Sequence, residues 1–521
     1  MQIEPSPDVF AARYDAGKAQ VVWTTLVADL ETPVSAFLKV SGTRPATSTQ
    51  ANFLLESVEG GAVRGRYSII GLEPDLIFRS DSERAAINRT PQSDPGAFVP
   101  MHESPLEALR AFIDESRLRL PNALPPMAAG VFGYLGYDMV RLMEELPAHA
   151  PDPIGIPDAM LVRPTLVIAF DAVEDTMTVV TPVRPRRGLA AKAAYVQATQ
   201  RLSAVVNALD RPVDKTAMPV PYSARQEIGP QAAWPLDAAP RSNTTPEQFK
   251  RMVRRAKEYI AAGDIFQVVL SQRFEAPFGL SPFALYRALR RVNPSPYLFF
   301  LDFGDFAVAG SSPEILVKAR GGTVTIRPIA GTRPRGPTPH EDAALEAELL
   351  ADPKERAEHL MLLDLGRNDV GRVAEIGTVK VTDQFFIERY SQVMHIVSNV
   401  EGKLRKDRDR LDALAAGFPA GTVAGAPKVR AMQIIDELEK EKRSLYAGCV
   451  GYFSAGEELD TCIVLRTALI KDGTMYVQAG AGIVADSDPD FEQQECINKA
   501  KALFRAAEEA KRFASAARGE P

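Results

Sequence analysis

The stretch "PYLFFLDFGDFAVAGSSPEILVKARGGTVTIRPI", Pro296–Ile329, indicates the fold class of this chain. It holds short apolar runs, such as "PYLFFLDFG", "FAVAGSS" and "TVTIRPI", whose β-branched and aromatic residues predict strands. A further run of this kind, "IFQVVLSQRF", precedes it at 265–274. Several of these runs are joined by turns too short for a helical crossover, so we expect the strands to pair antiparallel.

Helical patterns flank these strands. Residues 243–264, "NTTPEQFKRMVRRAKEYIAAGD", begin with Thr245 as a suitable N-cap, followed by Pro246 and Gln248, and end at Gly263. Nearer the start of the chain, residues 20–207 alternate apolar runs such as "TLVIAFDAV" with helical patterns such as "SPLEALRAFIDESRLRL". The whole chain is therefore predicted to mix helices with antiparallel strands.

A change of composition divides the chain into two large regions. Residues 211–243 are rich in proline and alanine and have no apolar periodicity, which is typical of a linker. We therefore predict an N-terminal region at 1–210, a second region at 244–512 and a frayed tail at 513–521.

Composition argues against several classes of protein. The 521 residues include 61 basic and 67 acidic ones, for a formal net charge of -6. A chain so balanced is a poor candidate for binding nucleic acid or an anionic membrane. No apolar run approaches the roughly 20 residues that span a bilayer, and the first ten residues lack the pattern of a signal peptide. The three cysteines form no CxxC pair and fit reduced thiols, so we expect a soluble, cytoplasmic protein.

A cationic segment follows the last of the strands quoted above. "TIRPIAGTRPRG", Thr325–Gly336, contains three arginines, two glycines and two prolines. Val324 and Ile326 indicate the end of a strand, and the glycines and prolines predict a stiff loop after it. We expect this loop to face a small substrate with two negative charges.

Two glutamates occupy unusual places in predicted helices. Glu358 shares an apolar stripe with Leu362 and Leu365, and burying a carboxylate is costly unless it is paired or bound to a cation. The local pattern favours a glutamate at the edge of the stripe that bonds an arginine. Glu495 precedes Lys499 by four residues, as in ordinary exposed ion pairs. The sharper alternative is that both glutamates hold one Mg²⁺, a cation that prefers oxygen ligands.

Two glycine-rich turns could bring backbone N–H groups close to an anion. One is "FPAGTVAGAPKVRAM", before a helix whose first residue is predicted to be Pro427. A plain loop–helix junction explains it equally well. The other, "VQAGAGIVADSDPD", offers only two glycines in a turn. His395, in the apolar stretch "SQVMHIVSNVEG", is either a structural imidazole or a group that exchanges a proton near neutral pH.

Nine segments of the second region occur together in one order. They are "GDIFQVVLSQRF", "NPSPYLFFLDFG", "SSPEILV", "PIAGTRPRG", "ERAEHLMLLDLGRNDVGRV", "VMHIVSNVEG", "FPAGTVAGAPKVRAM", "GYF" with "DTCIVLRTALI", and "QAGAGIVADSDPDFEQQECINKA". In this order they resemble the chorismate-utilising enzymes, and most closely the large subunits of anthranilate synthases. In the first half, "LLESVEGGAVRGRYSIIG" resembles the feedback-inhibitor segment of the same subunits.

The resemblance implies an α+β fold of large antiparallel β-sheets packed face to face, with helices outside. It also implies a reaction in which chorismate and ammonia, with Mg²⁺, give anthranilate and pyruvate. Matched residue by residue, Glu358 and Glu495 would bind the Mg²⁺, and Glu314 would be the acid that helps the ring hydroxyl leave. His395 and Thr422 match positions associated with the loss of pyruvate.

The same resemblance implies the substrate contacts. The side chains of Tyr452, Arg466 and Lys499 would hold the two carboxylates of chorismate. Further contacts are implied at these positions: Gly331, Thr332, Gly425, Gly480, Ala481 and Gly482. One departure is "GTVAGAPK", where such enzymes more often have "GTLSGAPK", which removes one hydroxyl from this turn.

Three positions distinguish the reactions of these enzymes. Isochorismate synthases, which add water, have a lysine base where this chain has Gln267 at a catalytic position, and a neutral amide suffices when ammonia is the nucleophile. Aminodeoxychorismate synthases typically have PIKGT, whose lysine bonds the ring covalently, where this chain has Ala330. Thr422 replaces the alanine expected of an isochorismate synthase and agrees with a lyase step. Aminodeoxychorismate synthase component I is the alternative enzyme.

Feedback inhibition and a partner subunit are also implied. Tryptophan is expected to bind as an inhibitor at these residues: Leu54, Glu56, Ser57, Asn293, Pro294, Ser295 and Tyr297. No cysteine has the sequence context of a glutaminase nucleophile, so ammonia from glutamine would require a separate glutamine amidotransferase subunit, and we expect a hetero-oligomer. The alternative from another class is a non-catalytic, tryptophan-sensing homologue that has kept the fold.

Overall fold

A computed structural model of the protein describes residues 1–41, 51–59, 63–81, 83–147, 150–213, 240–390 and 393–518. The α-helices of these residues are α1 (Pro7–Asp15), α2 (Pro33–Ser41), α3 (Pro105–Glu115), α4 (Ala191–Leu209), α5 (Pro246–Ala261), α6 (Pro282–Val292), α7 (Pro339–Ala351), α8 (Pro353–Gly371), α9 (Arg410–Gly417), α10 (Gly421–Ala424), α11 (Lys428–Leu438) and α12 (Pro489–Arg518). Short 3-10 helices lie at Pro126–Ala128 and Tyr137–Leu142. The strands are β1 (Gln20–Val27), β2 (Asn52–Glu59), β3 (Val63–Asp81), β4 (Arg84–Asn88), β5 (Phe98–Pro100), β6 (Gly130–Leu135), β7 (Ala159–Asp171), β8 (Thr176–Val183), β9 (Arg241–Ser242), β10 (Gln267–Pro277), β11 (Tyr297–Asp302), β12 (Phe306–Ser312), β13 (Ile315–Arg320), β14 (Thr323–Ile326), β15 (Ile329–Pro334), β16 (Lys380–Arg389), β17 (Val393–Lys403), β18 (Gly425–Ala426), β19 (Cys449–Ser454), β20 (Leu459–Ile463), β21 (Thr467–Lys471) and β22 (Thr474–Ile483).

The predicted antiparallel pairing is confirmed at every ladder between the described strands. One sheet follows the order β1-β8-β7-β3-β2-β11-β12-β21-β22-β10. A second follows the order β5-β4-β3-β7-β6-β19-β20-β13-β14-β17-β16. The long strands β3 and β7 belong to both sheets, and their ladder has a register shift between Pro74 and Leu76. A shift of this kind bends the strands as they pass from one sheet to the other.

The space between the two sheets is the central apolar core. Phe53 of β2 stacks on Phe132 of β6 with ring centroids 4.5 Å apart, although these two strands are not neighbours in a sheet. Further apolar clusters lie on the outer faces, one under α1, α2, α4, α6 and α12, and another under α3 and α9. The predicted α+β fold, with antiparallel sheets face to face and helices outside, is therefore confirmed.

Local sequence signals fix where helices begin. The Oγ1 of Thr245 accepts a hydrogen bond from the N–H of Gln248, and the Gln248 side chain accepts one from the N–H of Thr245, so α5 begins as predicted. Asp352 caps α8 in a similar way, through two backbone N–H groups. The prediction for Pro427 is wrong by one position, because α11 begins at Lys428 and Pro427 is its N-cap.

The two predicted regions share their sheets. β2 from the first region pairs with β11 from the second, and β6 pairs with β19. Most of the predicted linker lies outside the described residues, at 214–239, so the division of the chain at 210 and 243 stays a prediction. Helix α12 extends into the predicted tail as far as Arg518. The three cysteines are buried free thiols. Within the described ranges, no helix has both the length and the apolarity to span a bilayer.

The prediction of a cationic loop after β14 is wrong. The chain turns at Arg327 and Pro328 and continues as β15, which pairs with β17. Carboxylates bind all three arginines of this segment: Arg327 contacts Glu388, Arg333 contacts Glu348, Asp352 and Glu355, and Arg335 contacts Asp342. These ion pairs tie the segment to α7, α8 and β16 and leave no free cation for a substrate.

Candidate active site

Glu314 lies between β12 and β13, and its carboxyl group is buried. The Oγ1 of Thr422, in the short helix α10, donates a hydrogen bond to Oε1 of Glu314 at 3.0 Å. Burial raises the pKa of Glu314 to about 8, although the bond from Thr422 and the charge of Arg466 act in the opposite direction. Glu314 therefore keeps its proton at neutral pH, as a general acid must.

Arg466 lies between β20 and β21, close to Glu314. Its backbone has a φ of 48°, a left-handed conformation that is uncommon for a residue with a side chain and is found at functional sites. Burial lowers the pKa of the guanidinium, and the charges of Tyr390 and Glu314 raise it. In the described part of the chain, no carboxylate forms an ion pair with Arg466. A half-buried cation without a paired anion suits a substrate carboxylate.

His395 on β17 is held by the irregular part of β15. Its Nδ1 lies 3.0 Å from the carbonyl oxygen of Gly331 and 3.0 Å from Oγ1 of Thr332. Since a carbonyl only accepts hydrogen bonds, Nδ1 carries the proton and Nε2 has a free lone pair. Burial lowers the pKa of His395 to about 4, so the imidazole is neutral at neutral pH. His395 is thus hydrogen-bonded and still able to accept a proton at Nε2.

Glu358 on α8 and Glu495 on α12 form a second group. The Nε2 of Gln267, on β10, donates a hydrogen bond to Oε1 of Glu358 at 3.1 Å, so the predicted arginine partner is wrong. Lys499 contacts Glu495 at 2.6 Å, as their spacing predicts, and its Nζ also donates to the carbonyl of Gly480 at 2.9 Å. Burial raises the pKa of Glu358, and nearby negative charges, including Glu495, raise it further.

The donor atoms of this group fit a hard divalent cation. Glu492 adds a third carboxylate whose pKa is raised by burial and then by the charge of Glu495. The buried Oε1 of Gln267 has no hydrogen-bond partner. Mg²⁺ is commonly held by one or two carboxylates and completes its coordination with water and an anionic substrate. Among the described residues, no three His, Cys, Asp or Glu side chains form a group that could hold a metal ion, so Glu492 does not complete a three-carboxylate site here.

Close backbone contacts join the two groups. Gly425, three residues after Thr422, has a φ of 132°, and a Cβ there would lie 2.2 Å from the carbonyl oxygen of Gln267. A Cβ at Gly482 would lie 2.8 Å from Nε2 of Gln267. Glycine is therefore required at Gly425, where the neighbour is backbone, whereas at Gly482 the neighbour is a side chain that can move. The group around Thr422 and the group around Glu358 thus meet at Gln267.

The other predicted backbone contacts lie on β22. Gly480, Ala481 and Gly482 pair with Ser271, Leu270 and Val269 of β10. The side chain of Ala481 is fully buried in an apolar cluster, so only its backbone is available to a ligand.

The structure revises one predicted substrate contact, that of Tyr452. It packs against Phe132 with ring centroids 5.6 Å apart, and together with Tyr297 it lines a large cavity. The tyrosine beside the glycine turn is Tyr446, whose hydroxyl oxygen lies 2.8 Å from the position of a Cβ at Gly480. Sequence reasoning missed it because "SLYAGCVGYF" contains two tyrosines, and only the fold separates their environments.

The cavity lined by Tyr452 and Tyr297 has a volume of about 650 Å³, and residues from both halves of the sequence form its wall. The residues that line it include Leu55, Ser57, Tyr67, Tyr297, Tyr390, Tyr452 and Asp460. The Tyr297 hydroxyl donates a hydrogen bond to Asp460 at 3.2 Å, and burial raises the pKa of both groups. Of the residues predicted for the inhibitor, Glu56, Ser57 and Tyr297 lie on this wall.

Four predicted inhibitor residues are not among the described residues that line the cavity: Leu54, Asn293, Pro294 and Ser295. Leu54 is fully buried in the core on the other face of β2, because side chains alternate along a strand, and Leu55 takes its predicted place. Pro296 lines the cavity, whereas the predicted Asn293, Pro294 and Ser295 do not. Glu56 also lines the cavity, but its carboxylate lies on the Leu54 face of β2, where Arg290 binds it at 2.7 and 2.9 Å.

Known proteins resemble this chain over most of its length. A family model described as chorismate binding enzyme matches residues 50–505. The anthranilate synthase component 1 of Cereibacter sphaeroides is 57% identical over 97% of this chain and 98% of the relative. That of Pseudomonas aeruginosa is 46% identical over 92% of this chain and 94% of the relative.

Solved structures share the fold. Anthranilate synthase component I from Streptococcus pneumoniae TIGR4 superposes with a TM-score of 0.70 at 38% identity, covering 85% of this chain and 92% of that one. The menaquinone-specific isochorismate synthase MenF from Escherichia coli superposes with a TM-score of 0.68 at 21% identity, covering 94% of this chain and 95% of that one. The second likeness concerns the fold alone.

Proposed function

The chain belongs to the family of chorismate binding enzymes, and on this premise we propose that it is the catalytic large subunit of a cytoplasmic anthranilate synthase. It converts chorismate and ammonia to anthranilate and pyruvate for tryptophan biosynthesis. The proposal rests on the pairing of Glu314, a buried acid that stays protonated at neutral pH, with Arg466, a half-buried cation close to it that has no paired carboxylate among the described residues.

The first difficult step is loss of the ring hydroxyl, because hydroxide is a poor leaving group. Glu314 donates its proton, so that the hydroxyl leaves as water while ammonia forms the new C–N bond. An acid placed in this way contributes about 10²–10⁴-fold to the rate. Thr422 holds the carboxyl group of Glu314, and Arg466 binds a substrate carboxylate.

The second step is loss of pyruvate from the amino-substituted intermediate. The Nε2 of His395 takes a ring proton, the bond to the enolpyruvyl oxygen breaks, and the ring becomes aromatic. Gly331 and Thr332 support this role because they fix the imidazole through Nδ1 and leave Nε2 unprotonated.

Glu358 and Glu495 are the residues that would hold Mg²⁺. When bound, Mg²⁺ neutralises the ring carboxylate of chorismate and withdraws charge from the leaving group. Burial, together with the charges of Glu355 and Glu495, raises the pKa of Glu358, and a cation held by Glu358 and Glu495 would offset that cost. Gln267 orients Glu358 through its amide, and as a neutral group it does not generate hydroxide from water.

The cavity of about 650 Å³ is proposed to bind tryptophan as a feedback inhibitor. Its aromatic wall, which includes Tyr297 and Tyr452, suits an indole ring. Tyr390 also lines it and packs edge-on against His395 with ring centroids 5.4 Å apart, which gives an occupied cavity a direct contact with the active site. Ammonia from glutamine reaches the chain from a separate amidotransferase subunit, in a hetero-oligomer.

Product identification tests this function. The pure chain with chorismate, an ammonium salt and Mg²⁺ should form fluorescent anthranilate and an equal amount of pyruvate, and tryptophan should suppress both. With glutamine instead of ammonium, no product should form. Aminodeoxychorismate found by mass spectrometry would identify the alternative enzyme. Tryptophan binding without turnover would identify a non-catalytic homologue.

A further inference from the structure

We propose that the N-terminal region binds a small dianion, carrying phosphate or carboxylate groups, in a cavity of about 380 Å³ between α3, α4 and strands β3, β7 and β8. Every residue that lines this cavity lies between Asp75 and Arg201, so it shares no residue with the proposed active site or with the tryptophan cavity. The proposal does not depend on the reaction proposed above.

Arginines dominate the wall, and only two of them form ion pairs with carboxylates of the wall. Arg163 contacts both oxygens of Asp75, at 2.7 and 2.8 Å. Arg89 contacts both oxygens of Glu115, at 2.7 and 2.9 Å. Each is a bidentate ion pair, in which the carboxylate neutralises the charge of its arginine. The cavity has no further carboxylate on its wall, and its other arginines, described next, therefore give it a net positive charge.

Arg184 follows β8 and is largely buried. Its Nη2 donates a hydrogen bond to the carbonyl of Ser116 at 2.8 Å, which fixes the guanidinium at the C-terminus of α3. Burial, and then the charge of Arg163, lower the pKa of Arg184 to about 10. Within the described residues Arg184 has no ion-pair partner, so most of its donors remain available to a ligand.

Arg201, on α4, approaches the same cavity from the helix side. Its Nε is buried and has no hydrogen-bond partner. A buried donor without an acceptor is costly, and an anion in the cavity would supply the acceptor. Arg186, exposed at the same wall, adds a third cation without a carboxylate partner in the described residues.

The size of the cavity and the shape of guanidinium groups define the ligand class. About 380 Å³ is the volume of a site for a small molecule. Planar guanidinium forks match phosphate and carboxylate oxygens in pairs, and more than one unpaired arginine favours a ligand with two negative charges.

Titration calorimetry on the full chain, with inorganic phosphate and malonate as separate probes, tests the proposal. At least one probe should bind saturably at one site per chain. Arg201→Gln and Arg184→Gln should each weaken that binding by about tenfold or more, because each removes charge-assisted hydrogen bonds. Arg187→Gln is the matched control, since Arg187 is exposed nearby and does not line the cavity. The affinity of the Arg187→Gln variant for the probe should equal that of the wild type.

Three results would overturn the proposal. They are no saturable binding of either probe, equal weakening in the Arg187→Gln control, and loss of binding in Arg466→Gln, which would place the anion in the active site. If Arg184→Gln does not fold, the affinity of Arg201→Gln for the probe tests the proposal, and melting temperatures measured with and without the probe provide a second readout. At one probe concentration, the probe that binds should raise the melting temperature of the wild type and of Arg187→Gln equally, and that of Arg201→Gln by less.

Discussion

Burial tunes Glu314 and His395 in opposite directions. It raises the pKa of the carboxylic acid to about 8 and lowers that of the imidazole to about 4, because in both cases it disfavours the charged form. At neutral pH the first group is an acid with its proton and the second is a base without one. The two proposed steps, protonation of a leaving group and removal of a ring proton, need these two states.

Glu314→Gln tests the acid, because glutamine keeps the shape and cannot donate the proton. We expect kcat to fall by about 10²–10⁴-fold. In the wild type, only the protonated form is active, so kcat should fall as the pH rises through about 8. This alkaline limb should be absent in Glu314→Gln. A variant with nearly full activity and the same alkaline limb would contradict the role of Glu314.

His395→Gln tests the base in the second step. The variant should still form the C–N bond, so the amino-substituted intermediate, with its enolpyruvyl group intact, should accumulate. NMR of the reaction mixture would identify it, and anthranilate formation would slow by about 10²-fold or more. Loss of both intermediate and product, with chorismate unconsumed, would show that His395 acts before this step.

At the scale of elements, β15 shows where local pattern falls short. Its glycines and prolines predict a loop, yet β17 provides a hydrogen-bonding edge that holds the segment as a strand with a register shift at Gly331. The partner strand lies some sixty residues away in sequence, so no local signal reports it. By contrast, the caps at Thr245 and Asp352 depend on adjacent residues and could be predicted from the sequence.

Gly331→Ala tests the importance of this irregularity, with Gly377→Ala as a matched control. Both glycines have positive φ, of 76° and 80°, so both variants should lose about 1–2 kcal/mol of stability in denaturant titrations. Only at Gly331 would the new Cβ meet neighbours, with Glu355 and Ile396 at 3.2 Å. We therefore expect kcat to fall about tenfold in Gly331→Ala alone, because His395 shifts. Equal kcat in the two variants would contradict this.

At the scale of the whole molecule, the order of motifs along the chain predicted which elements form the site, and the fold decided which side chains enter it. Glu314, Thr422 and Arg466 are brought together as expected. Tyr446 and Tyr452 are six residues apart and line different cavities. This difference follows from the pairing of β19, which contains Tyr452, with β6 and β20. Strand parity likewise separates Leu54 from Leu55.

Contact between the proposed tryptophan cavity and the candidate active site predicts reciprocal binding. If tryptophan weakens chorismate binding, chorismate must weaken tryptophan binding by the same factor. Calorimetric titration of tryptophan into the chain with and without chorismate and Mg²⁺ measures this directly. We expect a loss of affinity of about 5-fold or more with chorismate present. Identical affinities would rule out coupling through Tyr390.

We propose that Glu358 and Glu495, distant in sequence, jointly hold the divalent ion. The Mg²⁺ dependence of anthranilate formation measures this. We expect Glu358→Gln and Glu495→Gln each to raise the Mg²⁺ concentration for half-maximal activity by about tenfold or more, since each would remove a charged ligand. Glu457→Gln, at an exposed surface pair, should match the wild type. An unchanged Mg²⁺ dependence in both active-site variants would contradict the account.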